Sequence, residues 1–191
     1  MAEEFPIERH PWQPFLPDGA EILMLGSFPP KPERWSMDFY YPNIQNDMWR
    51  IMGLIFYNDK DRFVAPVGKK FRFCHDKVVD FCTEKHIAIF DAATSVRRLK
   101  DNASDAFLEI VEPTDIPALL RKIPNCRKVV STGGKSAETI AAQLGCKVPE
   151  VGGFAEFVLD GQPFKFYRMP SSSRAYPLKL EKKAEAYRKI F

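Results

Sequence analysis

The run Ile22-Leu23-Met24-Leu25 is apolar at every position and stops at Gly26, with Ser27, Phe28, Pro29 and Pro30 following. A strand with one wet face alternates apolar and polar residues, because successive side chains point to opposite sides. A run without alternation has both faces covered, the situation of a parallel strand between layers of helices. Ile87 to Phe90, closing on Asp91, has the same character, and Lys128 to Ser131 leads into the glycine turn 133–134. Short buried strands separated by helical stretches define an α/β fold with a largely parallel sheet.

The helical stretches are readable between those runs. Asn46 and Asp47 are good N-caps in front of MWRIMGLIF, and 73–85 places Val78, Phe81 and Cys82 on one face. Pro113 is expected to open a helix that runs through residue 122, and GGKSAETIAAQL turns into another. Residues 154–169 read as a hairpin about Asp160-Gly161. A last helix from about 177 aligns Leu180, Ala184, Tyr187 and Phe191 and leaves its lysines on the other side. The loop 26–45 carries prolines 29, 30, 32 and 42, which exclude a regular helix there. Residues 1–20 read as an irregular arm, and no linker or repeat divides the 191 residues, so a single domain is expected.

Composition narrows the function classes. No apolar run approaches the roughly 20 residues of a membrane helix, and the N-terminus lacks the basic start and apolar core of a signal peptide, so a cytoplasmic protein is expected. The four cysteines form no CxxC pair and the three histidines no HExxH spacing, so reduced packing thiols are expected, with neither metal nor cofactor. The net charge of +3 is mild, but basic residues gather at 68–72, 97–100, 121–128 and near the C-terminus.

GGKS at 133–136 is no phosphate loop of the GxxxxGK[ST] type, because Val129 stands where its first glycine belongs. What remains is a strand, a glycine turn and a helix start, whose free N–H groups at Gly134 and Lys135 suit an anion such as a phosphate diester. Ligands of parallel α/β sheets collect at the carboxyl ends of the strands. Four segments converge there: Gly26-Ser27-Phe28-Pro29, Asp91, Gly133-Gly134-Lys135 and Pro170-Ser171-Ser172-Ser173. Together they offer backbone N–H groups, hydroxyls, an aromatic ring and one carboxylate, without a Ser-His-Asp or paired-carboxylate arrangement.

In chain order, LGSFP at 25–29, FYYPNIQNDMW at 39–49, IFDAATSVRR at 89–98 and MPSSSRAY at 169–176 are similar to the motifs of the uracil-DNA glycosylase superfamily, the second most of all to its mismatch-specific and hypoxanthine-excising branches. The resemblance implies a three-layer α/β/α sandwich around a four-stranded, mainly parallel sheet. It also implies a cofactor-free, monomeric DNA glycosylase that flips a deaminated base, uracil or hypoxanthine, and hydrolyses its N-glycosidic bond. The partner would be double-stranded DNA with a damaged or mismatched base, or single-stranded DNA. Two departures matter. Phe28 stands where many members carry a water-positioning Asp or Asn, and Met169 replaces the histidine that opens the last motif. The resemblance then moves the catalytic role to Asn46, whose other reading is an ordinary N-cap.

By the same resemblance Asp91 reads the base edge or, alternatively, braces its loop. Gly26, Ser27 and Phe28 face the base, with Phe28 stacking on it or packing its own loop. Tyr40 and Tyr41 wall the pocket, unless one or both belong to the core. Ser171, Ser172 and Ser173 grip phosphates, and Arg174 enters the space the flipped base leaves. Two alternatives share the fold: a damaged-DNA-binding protein with weak or no catalysis, and a hydrolase of free nucleosides.

Overall fold

The all-apolar run is the second strand of the chain and the heart of the structure, a computed structural model that describes residues 5–100 and 105–191. In chain order the elements are β1 (Ile7–Arg9), β2 (Ile22–Gly26), α1 (Met48–Tyr57), β3 (Val64–Val67), β4 (Lys70–Phe73), α2 (His75–Glu84), β5 (Ile87–Asp91), β6 (Ala93–Arg98), β7 (Leu108–Pro113), α3 (Ile116–Lys122), β8 (Lys128–Ser131), α4 (Gly134–Leu144), β9 (Phe154–Leu159), β10 (Gln162–Arg168) and α5 (Leu180–Tyr187).

Every residue of β2 and β5 is buried, as unbroken apolarity requires. The main sheet has the order β5-β2-β8-β10-β9. Its first four strands run parallel, and β9 adds a fifth, antiparallel strand at the edge. That extra strand is the first arm of the expected hairpin. Its two-residue turn has Asp160 and Gly161 at φ of 50° and 76°, the left-handed pair such a turn needs. Helices flank the sheet, α1 packing on α5 and α3 on α4. The opposite edge is covered by the N-terminal segment, where Phe15 and Ile89 exchange backbone bonds of 3.0 and 2.9 Å.

The first 20 residues are therefore more ordered than an irregular arm, although residues 1–4 lie outside the described ones. Ile7–Arg9 pairs with β6, and β6 with β7, to make a second, three-stranded antiparallel sheet. Three residues carry no period of their own, so their pairing depends on an edge supplied by β6. Helix α3 begins at Ile116 and not at Pro113, which ends β7. Asp115 caps the helix through a 3.0 Å bond from the Ala118 N–H, and Pro117 sits in its first turn. Residues 64–73, within a stretch that reads as polar loop, form the exposed hairpin β3–β4.

The last helix departs from expectation in one side chain. Lys183 is fully buried, on the same face as Ala184 and Tyr187. No helix is long and apolar enough to cross a membrane among the described residues.

Candidate functional site

A cavity of about 860 Å³ opens at the carboxyl ends of β2, β5, β8 and β10. Its wall includes Gly26, Ser27, Phe28, Tyr41, Asn46, Asp91, Gly134, Lys135, Ser171, Ser172, Ser173 and Arg174. Residues far apart in sequence thus meet at the edge where a parallel sheet gathers ligands. Tyr40 is the one candidate outside this wall. It is a core side chain whose hydroxyl donates to the Gln13 carbonyl at 2.6 Å. Burial, with the Asp91 charge second, pushes its phenol far above the ordinary range, so Tyr40 stays a neutral donor.

The loop after β2 is clamped from beneath. Arg98, almost fully buried, holds Glu8 through two bonds of 3.1 and 3.0 Å and donates to the Pro29 carbonyl at 3.1 Å. Phe28 packs, as Ile110 does, on the cluster of Ala93, Val96 and Leu108 in the small sheet while still lining the cavity. The stiffness of the proline loop is therefore a property of two sheets acting together.

Asp91 ends β5 at the cavity floor, with its side chain only 9% exposed. Oδ2 lies 2.8 Å from His10 Nε2. Oδ1 leans over Gly26 so closely that a Cβ there would stand 2.5 Å from it, which is why that position has no side chain. The backbone carbonyl of Asp91 accepts from Thr114 Oγ1 at 2.7 Å. Tyr41 stands opposite in left-handed backbone, φ 51°, a conformation costing a tyrosine about 1–3 kcal/mol. Its hydroxyl lies 2.9 Å from Thr132 Oγ1 at the end of β8. That contact anchors the ring against the cavity wall.

Asn46 sits at the start of α1, where its Oδ1 accepts from the Met48 N–H at 2.9 Å. The N-cap position itself is Asp47, which makes no side-chain cap bond, so Asn46 serves the helix start from one residue earlier, and one of its oxygen's two lone pairs is committed there. Asn46 also bridges Ser173 in antiparallel fashion, and the Asp47 N–H donates to the Ser172 carbonyl at 2.8 Å. The serine turn is shaped by its own hydroxyls: Ser171 Oγ accepts from the Ser173 N–H at 3.2 Å, and Ser173 Oγ from the Ala175 N–H at 3.3 Å.

Beneath the turn lies a charged cluster. Lys183 Nζ donates to Asp47 Oδ2 at 3.0 Å and to the Ser173 carbonyl at 2.8 Å. Arg174 reaches the other oxygen of Asp47 with two contacts of 3.3 Å, so it leans back on α1 while its side chain remains half exposed at the rim. Tyr187 donates to the Pro170 carbonyl at 2.8 Å. Helix α5 thereby fastens the serine turn to the start of α1.

The rim is basic. Gly134 and Lys135 open α4, Arg168 stands beside Gly134, and Arg34 joins from the proline loop, against one acid, Glu138, at the rim among the described residues. A helix start, serine backbone and guanidinium groups around one mouth suit a phosphate backbone.

His10, Arg98, Thr132 and Lys183 are the residues that sequence patterns miss, and Asp47, legible at the helix start, gives no sign there of its Arg174 and Lys183 partners. For Lys183 a signal exists, since it falls between Leu180 and Tyr187 on the apolar stripe, where a solvated lysine is out of place. His10 has none, being a lone histidine in a proline-rich arm.

No protein-family profile matches the chain, and no curated protein matches it. Among solved structures it is similar to a solution NMR structure from Methanosarcina acetivorans, provisionally described as a uracil DNA glycosylase, at 22% identity and a TM-score of 0.62, covering 97% of this chain and 98% of that one. The two share a fold over their whole lengths.

Proposed function

We propose that this protein is a monofunctional DNA glycosylase acting on a deaminated base, uracil or hypoxanthine. The observation that carries the proposal is one cavity with a buried acceptor carboxylate, Asp91, at its floor and a basic, amide-rich mouth of the right chemistry for phosphates. The fold shared with a protein provisionally described as a uracil DNA glycosylase supports the same reading.

In this reading the flipped base enters past Phe28 and Tyr41 and offers a ring N–H to Asp91. Gly26 and Ser27 let it approach β2 closely. Ser171 to Ser173, Gly134 and Lys135 hold the flanking phosphates, and Arg174 faces the vacated stack. A water adds to the sugar C1′ as the C–N bond breaks. The electron pair leaves with the base, and oriented dipoles stabilise the developing charge. The second lone pair of Asn46 Oδ1 is the acceptor that orients that water. Only the DNA and water are consumed, so no cofactor is required, and one chain supplies every group named.

Single-turnover assays on oligonucleotides carrying uracil, hypoxanthine, xanthine or mismatched thymine test the proposal. An abasic product is expected from uracil or hypoxanthine, and no product from any of the four sinks it. A second reading, a damaged-DNA-binding protein without catalysis, is favoured by one observation: Phe28 replaces a polar group while Asn46 Oδ1 is already bonded to Met48. It would give salt-dependent binding with no product. A nucleoside hydrolase has no use for the basic rim, so its activity would survive excess duplex DNA.

A further inference from the structure

We infer that His10 is a positioning residue for base selection, because it holds Asp91 as a single-oxygen acceptor; the inference rests on the base-reading role proposed for Asp91. The two residues are 81 positions apart, and their contact exists only because β1 pairs with β6 and carries the arm across the end of β5. The His10 N–H donates to the Thr94 carbonyl at 2.8 Å, which fixes its backbone to β6. Its side chain is 4% exposed and caged by Phe90, Phe28, Trp12 and Tyr40, with ring centroids between 4.6 and 6.0 Å. A histidine so enclosed has one orientation. It does not line the cavity, so it acts through the residue that does.

The proton arrangement follows from the neighbours. Nδ1 lies 3.1 Å from the Trp12 N–H and 3.0 Å from the Trp12 carbonyl. It therefore accepts from the amide in the neutral ring, or donates to the carbonyl in the charged one. Both of these leave a proton on Nε2, whereas a neutral ring protonated on Nδ1 would turn a bare Nε2 lone pair on a carboxylate oxygen 2.8 Å away, so the contact with Asp91 assigns the proton to Nε2, which donates to Oδ2. Oδ2 is thus engaged. Oδ1, projecting over Gly26, is the atom left to meet a base, and a carboxylate can only accept.

That polarity matches the chemical signature of deamination. The ring nitrogen next to the new carbonyl group is a lone-pair acceptor in cytosine and adenine, and becomes an N–H donor in uracil and hypoxanthine. An ionised Asp91 attracts the second pair of bases and repels the first. Without the His10 donor the Asp91 side chain loses the bond that fixes its rotamer, Oδ1 is no longer held towards the base, and the distinction weakens.

The test compares wild type, His10→Leu and His10→Gln on hypoxanthine against 1-deazahypoxanthine and uracil against 3-deazauracil, pairs that differ by replacing the ring N–H with C–H. Both excision from oligonucleotides and binding of the free bases are measured. Wild type is expected to prefer the N–H base about tenfold or more, the scale of a hydrogen bond to a charged group. His10→Leu should bring the preference towards unity, and His10→Gln, whose amide N–H reaches the same oxygen, should restore most of it. An undiminished preference in His10→Leu overturns the inference. If no base is excised but the binding preference exists and collapses in His10→Leu, the glycosylase reading fails and the role of His10 stands. Nitrogen NMR of the histidine ring decides the case even where a variant does not fold: Nε2 must be protonated in wild type, and an unprotonated Nε2 overturns the inference.

Discussion

At the residue scale the site depends on a few buried polar contacts whose loss has distinct signatures. Lys183 and Asp47 are nearly excluded from water and satisfy each other, and Lys183 also holds the serine turn. Lys183→Met leaves Asp47 with only the half-exposed Arg174 as a charged partner and removes the donor to the Ser173 carbonyl, and is expected to cost about 1–3 kcal/mol, lowering Tm by roughly 2–12 °C in a chain of this size. A melt within a degree of wild type would show the pair contributes nothing. Combining it with Asp47→Leu should recover part of the loss, since no buried charge is then stranded. Asn46→Ala separates two roles of one side chain. Loss of its bond from the Met48 N–H costs about 1 kcal/mol of stability, whereas on the proposed mechanism loss of a water-orienting oxygen should lower single-turnover excision about a hundredfold or more with DNA binding retained. An unchanged rate would leave Asn46 a residue of the helix start alone. These residues differ in legibility. Asn46 was visible as a cap candidate next to an apolar helix, and Asp91 as the polar end of an apolar strand. His10 and Arg98 were not, because an isolated polar residue has meaning only through a partner that folding brings to it.

Among the elements, the proposed function assigns phosphate contacts to α4 and the serine turn, and base contacts to β2 and β5. Lys135→Ala and Arg168→Ala are therefore expected to weaken binding of any DNA equally, and to reduce the slope of log affinity against log salt by about one each. A change confined to damaged DNA would place them in the base pocket instead. The main-sheet strands and most helices were legible because burial on two faces and on one face leave different periods, whereas β6 and β7 of the small antiparallel sheet were not. The failures have one cause. Ile7–Arg9, the hairpin at 64–73 and the shift of the α3 start from Pro113 to Ile116 are local choices decided by a neighbouring edge or cap. The lysine face of α5 was right in period and wrong for Lys183, because a charged partner waited inside.

For the whole molecule, the net charge of +3 understates the electrostatics of its working face, where basic groups ring the cavity mouth. Folding also hides thiols: burial pushes Cys126 up to about 11 and Cys82 higher still. Raised thiol values mean that the folded state keeps protons the unfolded chain gives up. Their contribution to stability is whole below pH 9.0, the ordinary thiol value, and is lost as pH rises through about 11. Denaturant titrations should show stability falling over that window, and Cys126→Ala should flatten the fall. An equal decline in the variant would assign it to other groups. The sequence by itself determined the α/β class, the largely parallel run of the buried strands and the edge where the cavity opens, since these follow from periodicity and from where apolar runs end. Tertiary structure alone decided that His10 meets Asp91, that Arg98 clamps the proline loop after Gly26, that Tyr40 leaves the pocket and that Lys183 goes inside. Each of these is a long-range pairing of polar groups, and such pairings leave no period in a sequence.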